Sequence, residues 1–156
     1  MDRQETQDTD FLLLAIENAR TSVASGGFPA GAVVVKNNTV IGHGISIGQK
    51  IHDPTSHGEM AAIRDACQNL KTADLSGCIL YASMEPCLMC FGASMWCGIP
   101  SIVFACRRSQ VSPAYYGGHY DINDINKNLL SDIKMIHWAA LEQQSLSVVR
   151  QWERAL

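Results

Sequence analysis

The chain has 156 residues, 47% of them hydrophobic and 17% charged, with a formal net charge of -3 at pH 7. That length suits one domain around a single core, residues 1–156, and the apolar content excludes a disordered chain. A mild acidic excess with no long Lys/Arg cluster gives little pull on nucleic acid, and apolar runs such as Phe11–Ile16 are far too short to cross a membrane. No basic stretch followed by an apolar segment and a cleavage site opens the chain, so the expected compartment is the cytoplasm.

Residues 1–9 read as a polar lead-in, and Asp10 as the cap of a helix. Its apolar positions Leu12, Ile16, Ala19 and Val23 recur at helical spacing until Gly26-Gly27 stops it. Ala32–Val35 and Val40–His43 read as two strands joined by a tight turn at Asn37-Asn38. Asp53-Pro54-Thr55 is expected to start a second helix that turns Met60, Ala61, Ile63 and Ala66 inward. Cys78–Ala82 is a strand of the buried kind, and Glu85-Pro86 opens a third helix that ends near Gly98, proline being favoured at a first helical position. Ser101–Ala105 is a further strand. A loop from about Arg107 to Asn123 leads to a short helix near Asp124–Leu130, a last strand Ile133–Trp138 and a last helix 139–154. Strands alternating with helices predict an α/β layered sheet with helices on its faces.

Six cysteines are the unusual feature of the composition, and only Cys87 and Cys90 form a C-x-x-C pair. With no secretory signal, metal ligands or buried thiols are expected rather than disulfides. Cys67, Cys78, Cys97 and Cys106 fall on helix and strand positions and read as small core residues. One imidazole, His57, with the thiolates of Cys87 and Cys90 supplies three zinc ligands and leaves the fourth tetrahedral position for water, the arrangement of a catalytic site. Both segments fall at expected helix N-termini, whose positive ends favour thiolates. Glu59, two residues beyond His57, is placed to reach the same pocket without binding the metal and to move protons. A redox C-x-x-C leaves His57 and Glu59 unexplained, and an all-cysteine zinc site lacks its second C-x-x-C.

The pairing of H-x-E with P-C-x-x-C is the pattern of zinc deaminases that attack an amino-bearing ring carbon. From about Phe11 to Phe104 the chain resembles the cytidine deaminase superfamily. It is most similar to the branch that holds bacterial guanine deaminases, tRNA adenosine deaminases and fungal cytosine deaminase. The segments that carry the resemblance are Phe28-Pro-Ala-Gly-Ala32, His52-Asp-Pro-Thr-Ser-His57-Gly-Glu59 and Glu85-Pro-Cys-Leu-Met-Cys90-Phe-Gly-Ala93. It implies a three-layer fold with a central five-stranded mixed sheet, one Zn2+ per subunit on His57, Cys87 and Cys90, and Glu59 as proton shuttle. It also implies a homodimer with sites near the subunit interface. The backbone around Ala32 and around Ser56-His57 would line the base pocket, and the carbonyl of Glu85 or Met84 would place the leaving amine. Ser46 stands where the family usually has an Asn that reads the base, and a hydroxyl replaces only one of the amide's two contacts.

The resemblance implies a hydrolase that releases ammonia from a small-molecule nucleobase or nucleoside, with guanine or a related aminopurine expected first. The alternatives are a tRNA adenosine deaminase and a cytosine-type pyrimidine deaminase. Against tRNA stands the C-terminal stretch Val148–Leu156, which has no lysine cluster. Against guanine stand Tyr115-Tyr-Gly-Gly-His-Tyr120, where acidic residues are usual, and Leu156 in place of an aromatic end. The form His57-Gly58-Glu59 and Gly98-Ile-Pro100 are similar to fungal cytosine deaminase. The 115–120 loop, with Tyr116 for stacking and His119 as a polar contact, is a candidate substrate lid, with an ordinary surface loop as the competing reading. Phe28 is a candidate pocket wall or a core residue, Trp152 is expected in the core, and His43, His52 and His137 have no ligand pattern.

Overall fold

The computed structural model describes residues 2–156. Helix α1 (Arg3–Ala24) is followed by the hairpin β1 (Phe28–Lys36) and β2 (Thr39–Ser46), a single helical turn α2 (Gly48–Ile51) and α3 (Gly58–Leu70). Then come β3 (Cys78–Met84), α4 (Leu88–Trp96), β4 (Ser101–Cys106), α5 (Ile122–Asn126), β5 (Lys134–His137) and α6 (Glu142–Arg154). The sheet order is β2-β1-β3-β4-β5; β1 runs antiparallel to β2 and β3, and β3, β4 and β5 run parallel. The five-stranded mixed sheet flanked by helices agrees with the expected architecture.

Period-two alternation explains the three layers. In β1, Ala32 and Val34 join Ala62, Ile63 and Ala66 of α3 and Phe91 of α4 on one face. Val33 and Val35 join Leu12, Ile16 and Ala19 of α1 and Val148 of α6 on the other. Every residue from Pro29 to Val35 is buried, as a strand covered on both faces requires. Asn37 and Asn38 both have positive φ (49° and 59°), the geometry of a two-residue hairpin turn whose twist matches the strands.

Several expected boundaries move, each for a local reason. Helix α1 begins at Arg3, not Asp10, because the Asp2 carboxylate accepts from Glu5 N and the Glu5 carboxylate accepts from Asp2 N. This capping box starts the helix although its first two turns carry no apolar stripe. Asp53-Pro54-Thr55 does not start α3: the Asp53 carboxylate accepts from both Thr55 N and Thr55 Oγ1, closing a turn of its own. The inward residues of α3 are Glu59, Ala62, Ile63 and Ala66, whereas Met60 and Ala61 are half-buried. Helix α4 opens two residues after Pro86, with Cys87 as its N-cap.

Glu142 ties α6 to the sheet. It accepts from Arg107 N, Nε and Nη2 at 3.1, 2.8 and 2.8 Å and lies 3.0 Å from His137 Nε2. Those Arg107 bonds hold its carboxyl down to about 2. A lowered folded-state pKa gives stability that is present above the ordinary carboxylate value of 4.5 and lost as pH falls through about 2. Glu142→Gln is therefore expected to lower Tm near neutral pH, and the gap from wild type should close between pH 4.5 and 2 in thermal melts. Half-exposed Arg107 is screened by water, so about 1 kcal/mol, or about 2–4 °C, is expected.

Candidate metal centre and cavity

Three chain segments converge at one end of the sheet: the start of β1, the end of β2 and the end of β3. Helices α3 and α4 begin there, and their N-cap residues are His57 and Cys87. Both have extended backbones (ψ 157° and 173°), and neither side chain caps its own helix. The imidazole and thiol are thus free to face one another, while the helices start with the Ala61 N to His57 O and Phe91 N to Cys87 O bonds, both 2.9 Å. Cys90, in the first turn of α4, is fully buried and completes the group.

His57 Nδ1 lies 3.5 Å from Cys87 Sγ and 3.6 Å from Cys90 Sγ, and all three donor atoms fall within 4.8 Å of one another. Zinc bonds of about 2.3 Å to sulfur and 2.0–2.1 Å to nitrogen give a tetrahedral N···S edge of about 3.6 Å. The donor set and its spacing therefore fit zinc. Among the described residues no other group of His, Cys, Asp and Glu is arranged to hold a metal. The neighbouring Cys90 and the ring of His57 stabilise the Cys87 thiolate and bring its pKa down to about 4, while the Cys87 thiolate beside it and burial push Cys90 up. Glu59 is 5% exposed, and its Oε2 accepts from Cys90 Sγ at 3.5 Å. Burial and the neighbouring Cys87 push the Glu59 carboxyl up to about 7. A carboxyl in that range can both take and give a proton near neutral pH.

These groups open into a cavity of about 800 Å³. Of the residues expected to bind substrate, Phe28, Ser46, Ser56, Met84, Glu85 and Tyr116 line it. Ser46 is fixed by Ser22 of α1: its N–H donates to Ser22 Oγ at 3.0 Å and its carbonyl accepts from that hydroxyl at 2.7 Å. Tyr116 OH donates to the Glu85 carbonyl at 2.7 Å, which leaves that oxygen one further lone pair.

The structure places Ala32 and His119 elsewhere. Ala32 does not line the cavity: it is fully buried in β1, paired with Gly44 and Ala82, and sits too deep in the sheet. Ala30, nearer the strand's start, lines the cavity instead. His119 is exposed and outside the cavity, because Gly117 and Gly118 (φ 73° and 146°) turn the chain away after Tyr116. Trp152 was expected in the core, yet it forms part of the cavity wall with Phe28 and Tyr115, at ring centroid distances of 5.1 and 5.9 Å. Its place on the amphipathic α6 gave no sign of this, since a residue at a helix end can face either way. His52 is exposed at the cavity rim. Cys78, Cys97 and Cys106 are buried and Cys67 is half-buried, and burial pushes Cys97 and Cys106 to about 11 and 12, so they remain thiols.

Residues 5–106 match the family model described as "Cytidine and deoxycytidylate deaminase zinc-binding region". The chain is 37% identical over 118 residues to the guanine deaminase of Bacillus subtilis, covering 75% of this chain and 76% of that protein. It is 38% identical over 95 residues to the tRNA-specific adenosine deaminase of Aquifex aeolicus, covering 61% of this chain and 63% of that one. Its fold is similar to a crystal structure in complex with 2,6-diaminopurine, with TM-score 0.82 at 27% identity over 92% of this chain and 80% of the other.

Proposed function

Because this chain belongs to the cytidine and deoxycytidylate deaminase zinc-binding family, we propose that it hydrolyses the exocyclic amine of a free nucleobase or small nucleoside, with guanine or a related aminopurine as the first candidate. The observation that carries this reading is the tetrahedral spacing of His57, Cys87 and Cys90 with buried Glu59 beside them at the wall of the cavity. Zinc held by these three residues supplies Lewis acidity that makes a water easier to deprotonate. Glu59 takes a proton from the attacking water, passes it to a ring nitrogen and later delivers a proton to the leaving amine. The balance is one water consumed, one C–N bond exchanged for C–O, and one ammonia released. Phe28 and Tyr116 offer aromatic surface to the ring, and the Ser46 hydroxyl and the Glu85 carbonyl offer polar contacts to its edge.

Asp53, Glu59 and Glu85 line the cavity, and among the described residues no Lys or Arg does. That balance supports an uncharged base or nucleoside over a nucleotide, whose phosphate would be repelled. Similarity to a guanine deaminase and to a fold solved with 2,6-diaminopurine supports an aminopurine. A second reading, adenosine within a tRNA, is favoured by the similarity to the Aquifex enzyme. The net charge of -3 counts against it. No helix among the described residues is long and apolar enough to cross a membrane. A single-domain enzyme of the cytoplasm remains part of the proposal, supported by the length and composition of the chain. A homodimer is supported by exposed Leu88 and Trp96 on α4, which offer an apolar face for a second copy.

An ammonia-release screen of the zinc-loaded protein over guanine, other aminopurines, cytosine, their nucleosides and nucleotides tests this. Turnover of bases or nucleosides, lost on chelation and restored by one equivalent of zinc, is the expected result. Activity confined to tRNA adenosine would replace the first reading with the second, and activity confined to nucleotides would overturn the charge argument.

A further inference from the structure

The loop after β4 makes its contacts to the metal-bearing segment. Arg108 N donates to Glu85 Oε2 at 2.9 Å. The Arg108 guanidinium carbon stands 4.8 Å from the centre of the Tyr116 ring and 4.3 Å from that of Tyr120, so both rings pack on it. The two hydroxyls of those rings reach opposite ends of one short stretch. Tyr116 OH donates to the Glu85 carbonyl at 2.7 Å, and Tyr120 OH accepts from Leu88 N at 2.9 Å. Between those two anchors lie Pro86 and Cys87. Arg108 Nη2 also donates to the Gly118 carbonyl at 2.7 Å, which closes the loop on itself. Arg108 Nη1 is buried with no hydrogen-bond partner, and an unmet buried donor costs stability.

We propose that Arg108 is a positioning residue for the metal centre: stacked with Tyr116 and Tyr120, it holds the Glu85–Leu88 segment so that Cys87 Sγ meets His57 Nδ1 and Cys90 Sγ at ligand spacing. The inference rests on the zinc reading of those three residues. Its physical basis is that a guanidinium plane can pack against aromatic faces while spending its N–H groups sideways, which an ammonium cannot do. A thiolate at a helix N-cap has no support from its own helix beyond the first backbone bonds. Its position therefore depends on what fixes the residues on either side; the stack reaches both, and Glu85 is held in addition by its own N–H to the Cys106 carbonyl at 2.7 Å. The neighbouring Arg107 is bound to Glu142 instead and takes no part.

The test is the zinc affinity of the purified full chain, measured by competition with a chromophoric chelator, together with the visible absorption of the cobalt-substituted protein. Removing partners that orient metal ligands costs roughly ten- to a hundredfold in metal affinity. Arg108→Gln is expected to lose that much and to alter the cobalt bands, and Arg108→Lys is expected to recover little of it. Arg107→Gln, which breaks the bridge to Glu142 and leaves the stack intact, is expected to lower Tm with zinc affinity unchanged. If Arg108→Gln yields no folded protein, Tyr120→Phe, which deletes only the acceptor for Leu88 N, is expected to weaken zinc in the same direction. Unchanged affinity and unchanged cobalt bands in these variants would overturn the positioning role. A wild-type chain that binds no zinc would instead overturn the metal reading beneath it.

Discussion

Replacing Glu59 by Gln is expected to lower kcat by roughly 10²–10⁴, the usual contribution of a positioned acid–base group, while one zinc per chain remains bound. The substitution keeps size and shape, so the 3.5 Å approach to Cys90 Sγ and the packing of a residue only 5% exposed are preserved. What is lost is the capacity to accept a proton from water and return it. An amide oxygen can hold a water by a hydrogen bond but cannot carry its proton to a ring nitrogen. Because zinc rests on His57, Cys87 and Cys90, metal content by elemental analysis should not change. Removing an ionisable group from so buried a place also leaves the protein at least as stable as wild type, since function holds a charge where packing alone would not. Full turnover by a zinc-loaded Glu59→Gln protein would show that the proton moves by another route.

The fold class, the sheet's strands and the metal centre were all legible in the sequence because each rests on a local rule. Buried strands such as Val33–Val35 are continuous apolar runs, and Asn37-Asn38 is a turn signal with a backbone reason behind it. His57, Glu59, Cys87 and Cys90 were legible because helix starts bring short motifs together in a way their spacing announces. The misplaced parts depend on geometry across the chain. Helix α1 was begun late because its first turns have no apolar face and are held by the Asp2–Glu5 box and by Asp8, which accepts from Tyr81 OH. The D-x-x-E spacing was the available signal. Ala32 and Ala30 differ by one pleat, and only the depth at which the sheet ends decides which one faces the cavity. Trp152, Tyr116 and Tyr120 reach residues 31 to 124 positions away, which no window on the chain can register.

The second large effect concerns Gly44, in β2, which has no side chain to touch metal or substrate. A Cβ at this position would stand 1.9 Å from the Gly58 carbonyl oxygen and 2.4 Å from Ala62 N, both backbone atoms of the first turns of α3. Backbone in a helix cannot step aside as a flexible side chain can, so Gly44→Ala must push α3 off the sheet or bend β2 away from it. Overpacking of this kind costs about 1–3 kcal/mol, which for a chain of this size is roughly 2–12 °C in Tm. The damage is directed as well as general. The turns displaced are those that carry His57 and Glu59, so zinc affinity and turnover should fall by more than the loss of stability alone explains. Gly77→Ala serves as the control: its nearest neighbour would be Lys36 Cε at an ordinary 3.5 Å, and the change is expected to leave zinc affinity as it was. Thermal melts with and without saturating zinc separate the two effects, because a helix shifted away from Cys87 and Cys90 gains less from the metal than one in place. A Gly44→Ala protein with the melting point and zinc-dependent shift of wild type would mean that α3 can move outward without carrying His57 with it. That outcome would contradict the placement of the metal centre on the first residues of that helix.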